Sequence, residues 1–396
     1  MKELTGGLKE VNGFLFSAIE CAIKYNQRLD FALIFSKKPC NASGLFTTNS
    51  ITAAPVVLCK DRINNPVHGI LINATNANAC TGEEGYKNAM RLTAEVANLM
   101  DVDPSSILMA STGVIGVQLP FEKMKKSIPF LIDRLSKENS RLVPEAIMTT
   151  DTFPKELAVS FQSSKGEYTI AGTAKGSGMI APNMATLLAF ILTDFPIDKK
   201  HLNQIFAKSI NETMNSITID GDTSTNDTTI ILSPITEEYL TDKNDLLKFE
   251  EALIHLLKKL SKMLVMDGEG ATKAVQIKVE GAKDKKDAQM AAKAISESLL
   301  VKTAIFGRDP NWGRIACAAG YSGAYIEESN LSIIFDDIIM LLKGKPIIYD
   351  KKKIDEVMSK REYSITVDLG VGNASASYLT TDISYDYVKI NAEYTT

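Results

Sequence analysis

The chain carries a threonine whose surroundings change character at a single residue. In AKGSGMIAPNMATLLAFILTD, residues 174–194, glycine, proline and small polar residues run up to Ala185, and an almost unbroken apolar run follows Thr186. A threonine hydroxyl is a weak nucleophile unless a base stands beside it, and one available base is the residue's own α-amino group. That amine exists only once the peptide bond between Ala185 and Thr186 is cut. Attack of the hydroxyl on the Ala185 carbonyl gives an ester, which water hydrolyses to free Thr186 as a new N-terminus. An α-amine has an ordinary pKa of about 7.7–8.0, close to the optimum for a general base at neutral pH. Small residues before the bond leave room for a strained turn, and LLAFIL behind it would hold the nucleophile on a rigid buried strand. The plainer alternative is a β-branched residue that merely opens a strand. Taken by itself, the stretch favours that alternative.

Other residues narrow the chemistry. AKGSGMIAP is not a phosphate-binding loop, because its lysine precedes the glycines and G-x-x-x-x-G-K-[ST] is absent. The three histidines, His68, His201 and His255, do not sit beside a candidate nucleophile in sequence, which argues against a histidine triad or a multi-histidine metal site. The five cysteines, Cys21, Cys40, Cys59, Cys80 and Cys317, show no CxxC or metal-ligand spacing and read as reduced thiols of a cytosolic protein. Asp220, Asp222 and Asn226 lie in an acid-rich loop of the kind that usually makes turns. Neither a metal nor a cofactor is expected.

Seven further polar, glycine-bearing or threonine-rich segments punctuate the chain. They are NATNANACTG (73–82), STGVIG (111–116), TTDTFPK (149–155), DGDTSTNDT (220–228), DGEGATK (267–273), GRDPNWGRI (307–315) and INAEYTT (390–396). Singly each is an ordinary turn. Several, however, fall at the apparent ends of buried strands, where α/β proteins build their sites.

The elements that must position these segments can be read from periodicity. Short apolar runs predict strands at FALIFS (31–36), VVLC (56–59), GILINA (69–74), SILMAST (106–112), LLAFILTD (187–194), TTIILS (228–233), VQIKVEG (275–281) and IACAAG (315–320). Helices are predicted between them. In TGEEGYKNAMRLTAEVANLM, Thr81 and Glu84 have capping-box spacing. In KKDAQMAAKAISESLL, Met290, Ala291, Ala294, Ile295, Ser298 and Leu299 make one stripe, and FEEALIHLLKKLSKML has a leucine face with His255 on its polar side. Strands alternating with helices give an α/β fold of layered sheets covered by helices. With 45% apolar and 23% charged residues and a net charge of -4, there is no electrostatic case for nucleic acid or an anionic membrane. The N-terminal segment lacks a basic stretch followed by an apolar one, so no signal peptide is expected. No apolar run approaches the length that spans a bilayer, and the expected location is the cytoplasm.

Taken together, KGSGMIAPNMATLLAF, STGVIG, DGDTSTNDT, DGEGATK, GRDPNWGRI and the terminal YTT closely resemble the glutamate N-acetyltransferase (ornithine acetyltransferase) family of arginine biosynthesis. The likeness runs from about Arg28 to the last residue. It departs from the family near the start, where LFSAIECAIK replaces a glycine-richer segment, and slightly in NATNANACTG.

The resemblance implies a self-processing fold of the ornithine acetyltransferase and aminopeptidase type. It implies cleavage before Thr186 into an α chain, 1–185, and a β chain, 186–396, joined in an α2β2 assembly. Thr186 would then take the acetyl group of N-acetylornithine and pass it to glutamate in a ping-pong reaction. Thr112 and Gly113 match the family's oxyanion stabilisers. Thr152, Lys175, Glu269, Asn391 and Thr396 match its substrate contacts, together with Thr186 itself. The same motifs serve members that use acetyl-CoA as a donor and members that do not. The competing reading is a self-cleaving aminopeptidase or amidase of similar fold, in which water replaces the amino-acid acceptor.

Overall fold

The apolar run beyond position 186 forms a strand, Leu188–Thr193, with all six side chains buried. Such a strand needs cover on both faces. In this computed structural model, which describes residues 1–181 and 187–393, Leu188–Thr193 lies between Gly166–Lys175, antiparallel to it, and Thr228–Pro234, parallel to it. Among the described residues the sheet has nine strands. It continues through Lys155–Ser163 to Lys2–Leu4 on one side, and through Phe31–Phe46 to Val67–Asn73 and Ile107–Ser111 on the other, with Phe14–Ile19 also paired to Phe31–Phe46. The two strands from after position 186 therefore lie side by side in the sheet, flanked on both sides by strands from before it.

Phe31–Phe46 joins the two halves of this sheet. Its first residues pair with Phe14–Ile19 and Val67–Asn73, and its last ones with Thr228–Pro234. The register shifts between Phe35 and Cys40, where Pro39 has no N–H to give to a ladder. One face of each half meets in a shared core, with Ala32, Ile34, Ile70, Ile72, Leu108 and Ala110 from one half and Ala158, Ala171, Phe190, Leu192, Ile230 and Leu232 from the other. The opposite faces carry the helices. Val159, Phe161, Ile170, Ala189 and Ile191 pack on Lys199–Glu212 and Lys243–Met266. Leu33, Leu71, Ile107 and Met109 pack on Gly82–Leu99 and Phe121–Asp133. The result is a helix–sheet–sheet–helix stack, the layered α/β fold expected.

A second sheet has seven strands among the described residues, in the order Lys345–Pro346, Ile338–Leu342, Ser332–Phe335, Glu362–Asp368, Ala274–Ala282, Ala374–Thr381 and Ile217–Thr218. Val275, Ile277, Val279, Ile365 and Val367 face Lys285–Glu297, Leu299–Phe306 and Trp312–Gly320, while Lys278 and Glu280 between them face solvent. Among the described residues no helix is long and apolar enough to cross a membrane.

Four local expectations are corrected. VVLC lies in the helix Ala54–Arg62, opened by Pro55 in its first turn. IACAAG lies in the helix Trp312–Gly320, capped by the Asn311 side chain on the Arg314 N–H. Both are short apolar runs whose length fits either period. Thr81 precedes Gly82–Leu99 but makes no cap bond; its hydroxyl donates instead to Asn78 Oδ1 at 2.8 Å. The stripe predicted through Leu299 ends early, because Ser298 caps a new helix and leaves Leu299 exposed.

Phe195 sits at the centre of an aromatic cluster, 5.1 to 5.5 Å from the ring centres of Phe249, Tyr168 and Phe161, and is fully buried. Phe195→Ala is expected to lower unfolding stability by about 3–5 kcal/mol, measured as a shift of the urea midpoint.

Candidate active site

At the start of Leu188–Thr193 the chain opens onto a cavity of about 190 Å³, with Leu187 and Leu188 in its wall. Lys175, the last residue of the antiparallel neighbour, is in register with Leu188 and lines the same cavity. Its side chain is buried. The ammonium donates to Thr149 Oγ1 at 2.8 Å and Thr112 Oγ1 at 3.1 Å. Burial lowers its pKa, and the nearby Asp151 carboxylate works the other way.

Thr112 and Gly113 follow the strand Ile107–Ser111. The Thr112 N–H donates to Asn73 O at 3.0 Å. Gly113 has φ +133, and a Cβ there would stand 2.1 Å from the Thr75 carbonyl carbon; only glycine fits. Asn226 anchors this corner, its Nδ2 donating to Ala77 O at 2.6 Å and Ser111 O at 2.9 Å. That explains the polar composition of NATNAN, STG and DGDTSTND. Their side chains satisfy backbone groups of three segments that cross without a regular ladder.

The loop 149–153 is held from beneath by buried charge. Lys155 donates to Asp151 Oδ1 at 2.6 Å and to Asp267 Oδ2 at 2.5 Å, with the three side chains almost wholly excluded from solvent. Asp151 also accepts from the N–H groups of Gly176 at 2.7 Å and Thr149 at 3.0 Å. Asp267 accepts from both the N–H and the hydroxyl of Thr152. One ion triplet thus pins the segments that carry Thr149, Lys175 and Glu269. Burial opposes ionisation of Asp151, but Lys175 and Lys155 outweigh it and hold the carboxyl at about 2.

Glu269 stands beside the glycines of AKGSG. Its N–H donates to Ser177 O at 2.7 Å, and a Cβ on Gly178 would come within 2.4 Å of its carboxylate. Asn391, from the helix Tyr385–Glu393, donates to Glu269 Oε2 at 2.9 Å. Asp220 accepts from the N–H groups of Met179 and Ile180. Thr223 donates to Ala181 O at 3.1 Å, so the chain is fixed as far as Ala181.

The cavity therefore brings together Thr112, Gly113, Lys175, Glu269 and Asn391. Thr152 does not line it and instead spans to Asp267, whereas Thr149 and Thr150 do line it. Thr150 shares a 2.7 Å hydroxyl contact with Ser177. Ala185, Thr186 and Thr396 lie outside the described residues. Sequence reasoning missed Thr149, Asp151, Lys155 and Asp267. The Asp-x-x-x-Lys spacing in TTDTFPK was a visible signal, but its second carboxylate comes from a distant segment. Among the described residues no group of three or more His, Cys, Asp or Glu side chains is placed to hold a metal. Burial pushes the Cys40 and Cys59 thiols up to about 11 and about 12, which removes both as nucleophiles near neutrality.

Comparison with known proteins agrees with this assembly of motifs. Residues 15–396 match the sequence profile of the ArgJ family. The arginine biosynthesis bifunctional protein ArgJ of Geobacter sulfurreducens is 45% identical over 394 residues, covering 98% of this chain and all of that protein. Two crystal structures are also similar. The arginine biosynthesis bifunctional protein ArgJ of Bacillus halodurans is 39% identical, covering 52% of this chain and 98% of the solved chain, with TM-score 0.49. The Mycobacterium tuberculosis ornithine acetyltransferase complexed with ornithine is 31% identical, covering 47% and 98%, with TM-score 0.43.

Gly113→Ala is expected to abolish turnover, since the new Cβ overlaps the Thr75 backbone, with activity against N-acetylated amino acids as the assay. The buried triplet gives a pH prediction. The Asp151 carboxyl is held at about 2 against an ordinary 3.8, so its contribution to stability is complete above pH 3.8 and is lost as pH falls to about 2. Lys155→Met removes the cation that bridges the two buried carboxylates, leaving Asp151 only Lys175 for compensation, and is expected to cost about 3–5 kcal/mol at pH 7. That deficit should narrow towards pH 4 as the less compensated Asp151 carboxyl takes up a proton, read from urea midpoints at the two pH values.

Proposed function

The chain belongs to the ArgJ family, and from that membership we propose that it moves an acetyl group from N-acetylornithine to glutamate in arginine biosynthesis. One observation carries the reading. Thr112, Gly113, Lys175, Glu269 and Asn391 come from four separate segments yet line a single cavity, and Leu187, the residue joined to Thr186, is in its wall.

The precursor first cuts itself between Ala185 and Thr186. The chains 1–185 and 186–396 stay together because two strands of the second are hydrogen-bonded between strands of the first in one sheet, and two such pairs form α2β2 in the cytoplasm. The freed amine of Thr186 takes the proton of its own hydroxyl as the oxygen attacks the acetyl carbonyl. Thr112 and Gly113 stabilise the tetrahedral anion, where one well-placed donor contributes about 3 kcal/mol. Lys175 reinforces Thr112, because its ammonium donates to the Thr112 oxygen and polarises that hydroxyl. Collapse of the anion breaks the C–N bond, and the departing ornithine amine receives the proton held by the Thr186 ammonium. Glutamate then attacks the acetyl ester with its own amine, and the Thr186 oxygen regains a proton as N-acetylglutamate leaves.

The cavity offers an ammonium, Lys175, and a carboxylate, Glu269, which complement the carboxylate and free ammonium of the amino-acid substrates. Thr152 serves these contacts through Asp267, and Thr396 is assigned to them by its match to the family's substrate contacts. Relatives carry the description bifunctional, which supports acetyl-CoA as a second donor to Thr186.

Thr186→Ala is expected to yield one uncut chain with no acetyl transfer to glutamate, whereas the wild type runs as two bands on a denaturing gel. An uncut wild type that still transfers acetyl would overturn the mechanism.

A further inference from the structure

The segment GRDPNWGRI is not used by the chemistry above, and it borders a different cavity. This one, about 370 Å³, is lined by Thr272, Lys273, Phe306, Arg308, Ser359 and Arg361. Its wall holds three cationic side chains and no carboxylate. Lys273 is buried and donates to Ser359 O at 3.0 Å and Lys360 O at 2.7 Å, which fixes its ammonium in place. Its pKa is lowered, by burial first and then by the charge of Arg308. Asp382 is the nearest compensating acid, but its oxygens already accept from the Thr272 N–H, the Thr272 hydroxyl and the Lys273 N–H. Among the described residues the Arg361 side chain makes a single long bond, to Met266 O at 3.3 Å. Arg308 is exposed; its N–H donates to Ile305 O at 3.2 Å, and its side chain makes no hydrogen bond or ion pair among the described residues.

The backbone of Arg308 is also unusual. It has φ +54 just after the helix Leu299–Phe306, a position where glycine is the common choice. A long cationic side chain stands there with no bonding partner among the described residues, beside two other cations. A phosphate would relieve this repulsion. Guanidinium groups present paired N–H donors that match phosphate oxygens, and lysine adds a point charge.

The cavity adjoins the acetyl-transfer site. Thr272 is three residues beyond Glu269, a span of at most about 11 Å of extended chain. Phe306 meets Tyr385 edge-on at 5.3 Å, and Tyr385 opens the helix that carries Asn391.

We propose that Arg308, Arg361 and Lys273 form a phosphate subsite, fitted to the phosphate of a coenzyme A thioester whose acyl end enters the Thr186 cavity. The choice of thioester rests on the acetyltransferase reading; the phosphate chemistry does not. Free inorganic phosphate shares that chemistry, and the test separates the two sources.

Arg308→Gly removes the guanidinium while suiting the backbone, and Arg361→Gln removes a second charge at an exposed position. Full-length protein, wild type and each variant, is titrated calorimetrically with coenzyme A, with pantetheine, which has the arm but no phosphate, and with inorganic phosphate. Acetyl transfer from N-acetylornithine to glutamate is assayed in parallel. Each variant is expected to bind coenzyme A about tenfold more weakly, with pantetheine binding and N-acetylornithine turnover unchanged. Weakened binding of inorganic phosphate with coenzyme A unaffected would support the subsite with free phosphate as its occupant. If neither phosphate ligand responds to either substitution, the subsite is wrong. A wild type that binds coenzyme A but does not move acetyl from N-acetylornithine would instead contradict the proposed reaction and leave the binding result intact.

Discussion

The site depends on one buried cation shared by two carboxylates. Lys155 sits between Asp151 and Asp267 with almost no solvent contact, and those carboxylates take the N–H groups of Thr149, Gly176 and Thr152. Taking three charges out of water is expensive, and an apolar replacement of equal volume is often no less stable. What such a filling would not supply is direction. The two carboxylates bind particular backbone N–H groups on the loop 149–153 and the turn after Lys175, and Asp267 begins the turn that carries Glu269. With that knot in place, the positions of Lys175 and Glu269 relative to each other are set by short bonded paths rather than by flexible side chains.

The same economy governs the other wall. The turn at Gly113 lies against the Thr75 backbone so closely that no Cβ fits, and Asn226 ties the adjoining carbonyls together. Lys175 links the two walls by donating to both Thr112 and Thr149. Its low-dielectric setting strengthens each of these bonds and lowers the ammonium's own pKa, so the charge that polarises Thr112 is itself sensitive to what occupies the cavity. The strand Leu188–Thr193, paired on both sides and buried on both faces, gives a rigid base two positions beyond Thr186, the proposed nucleophile. The bonds from the 218–223 segment fix the chain up to Ala181 before it.

Much of this was legible in the sequence. The abrupt change at Thr186, the glycines of STG and AKGSG, and the acid in DGEG carry their reasons locally, as chain direction, close approach and charge. Buried strands with continuous apolar runs, such as LLAFIL and TTIILS, were also plain. VVLC and IACAAG were not, because four to six apolar residues fit either a strand or one face of a short helix, and only tertiary packing decides. The Asp151, Lys155 and Asp267 knot escaped for a different reason. Two of its members are four residues apart, but the third lies 112 positions beyond Lys155, a contact no local pattern encodes. Thr150 and Thr152 are likewise indistinguishable by type, and they part only because Asp267 captures one of them.

The proposed reaction turns on a covalent step at a single oxygen, that of Thr186. Incubating the mature protein with N-acetylornithine and no acceptor, then mapping its peptides by mass spectrometry, tests that step directly. The account predicts one added acetyl group on the peptide that begins with Thr186, released when glutamate is supplied. Turnover with no acetylated peptide at any time, or with the acetyl group on another residue, would contradict it.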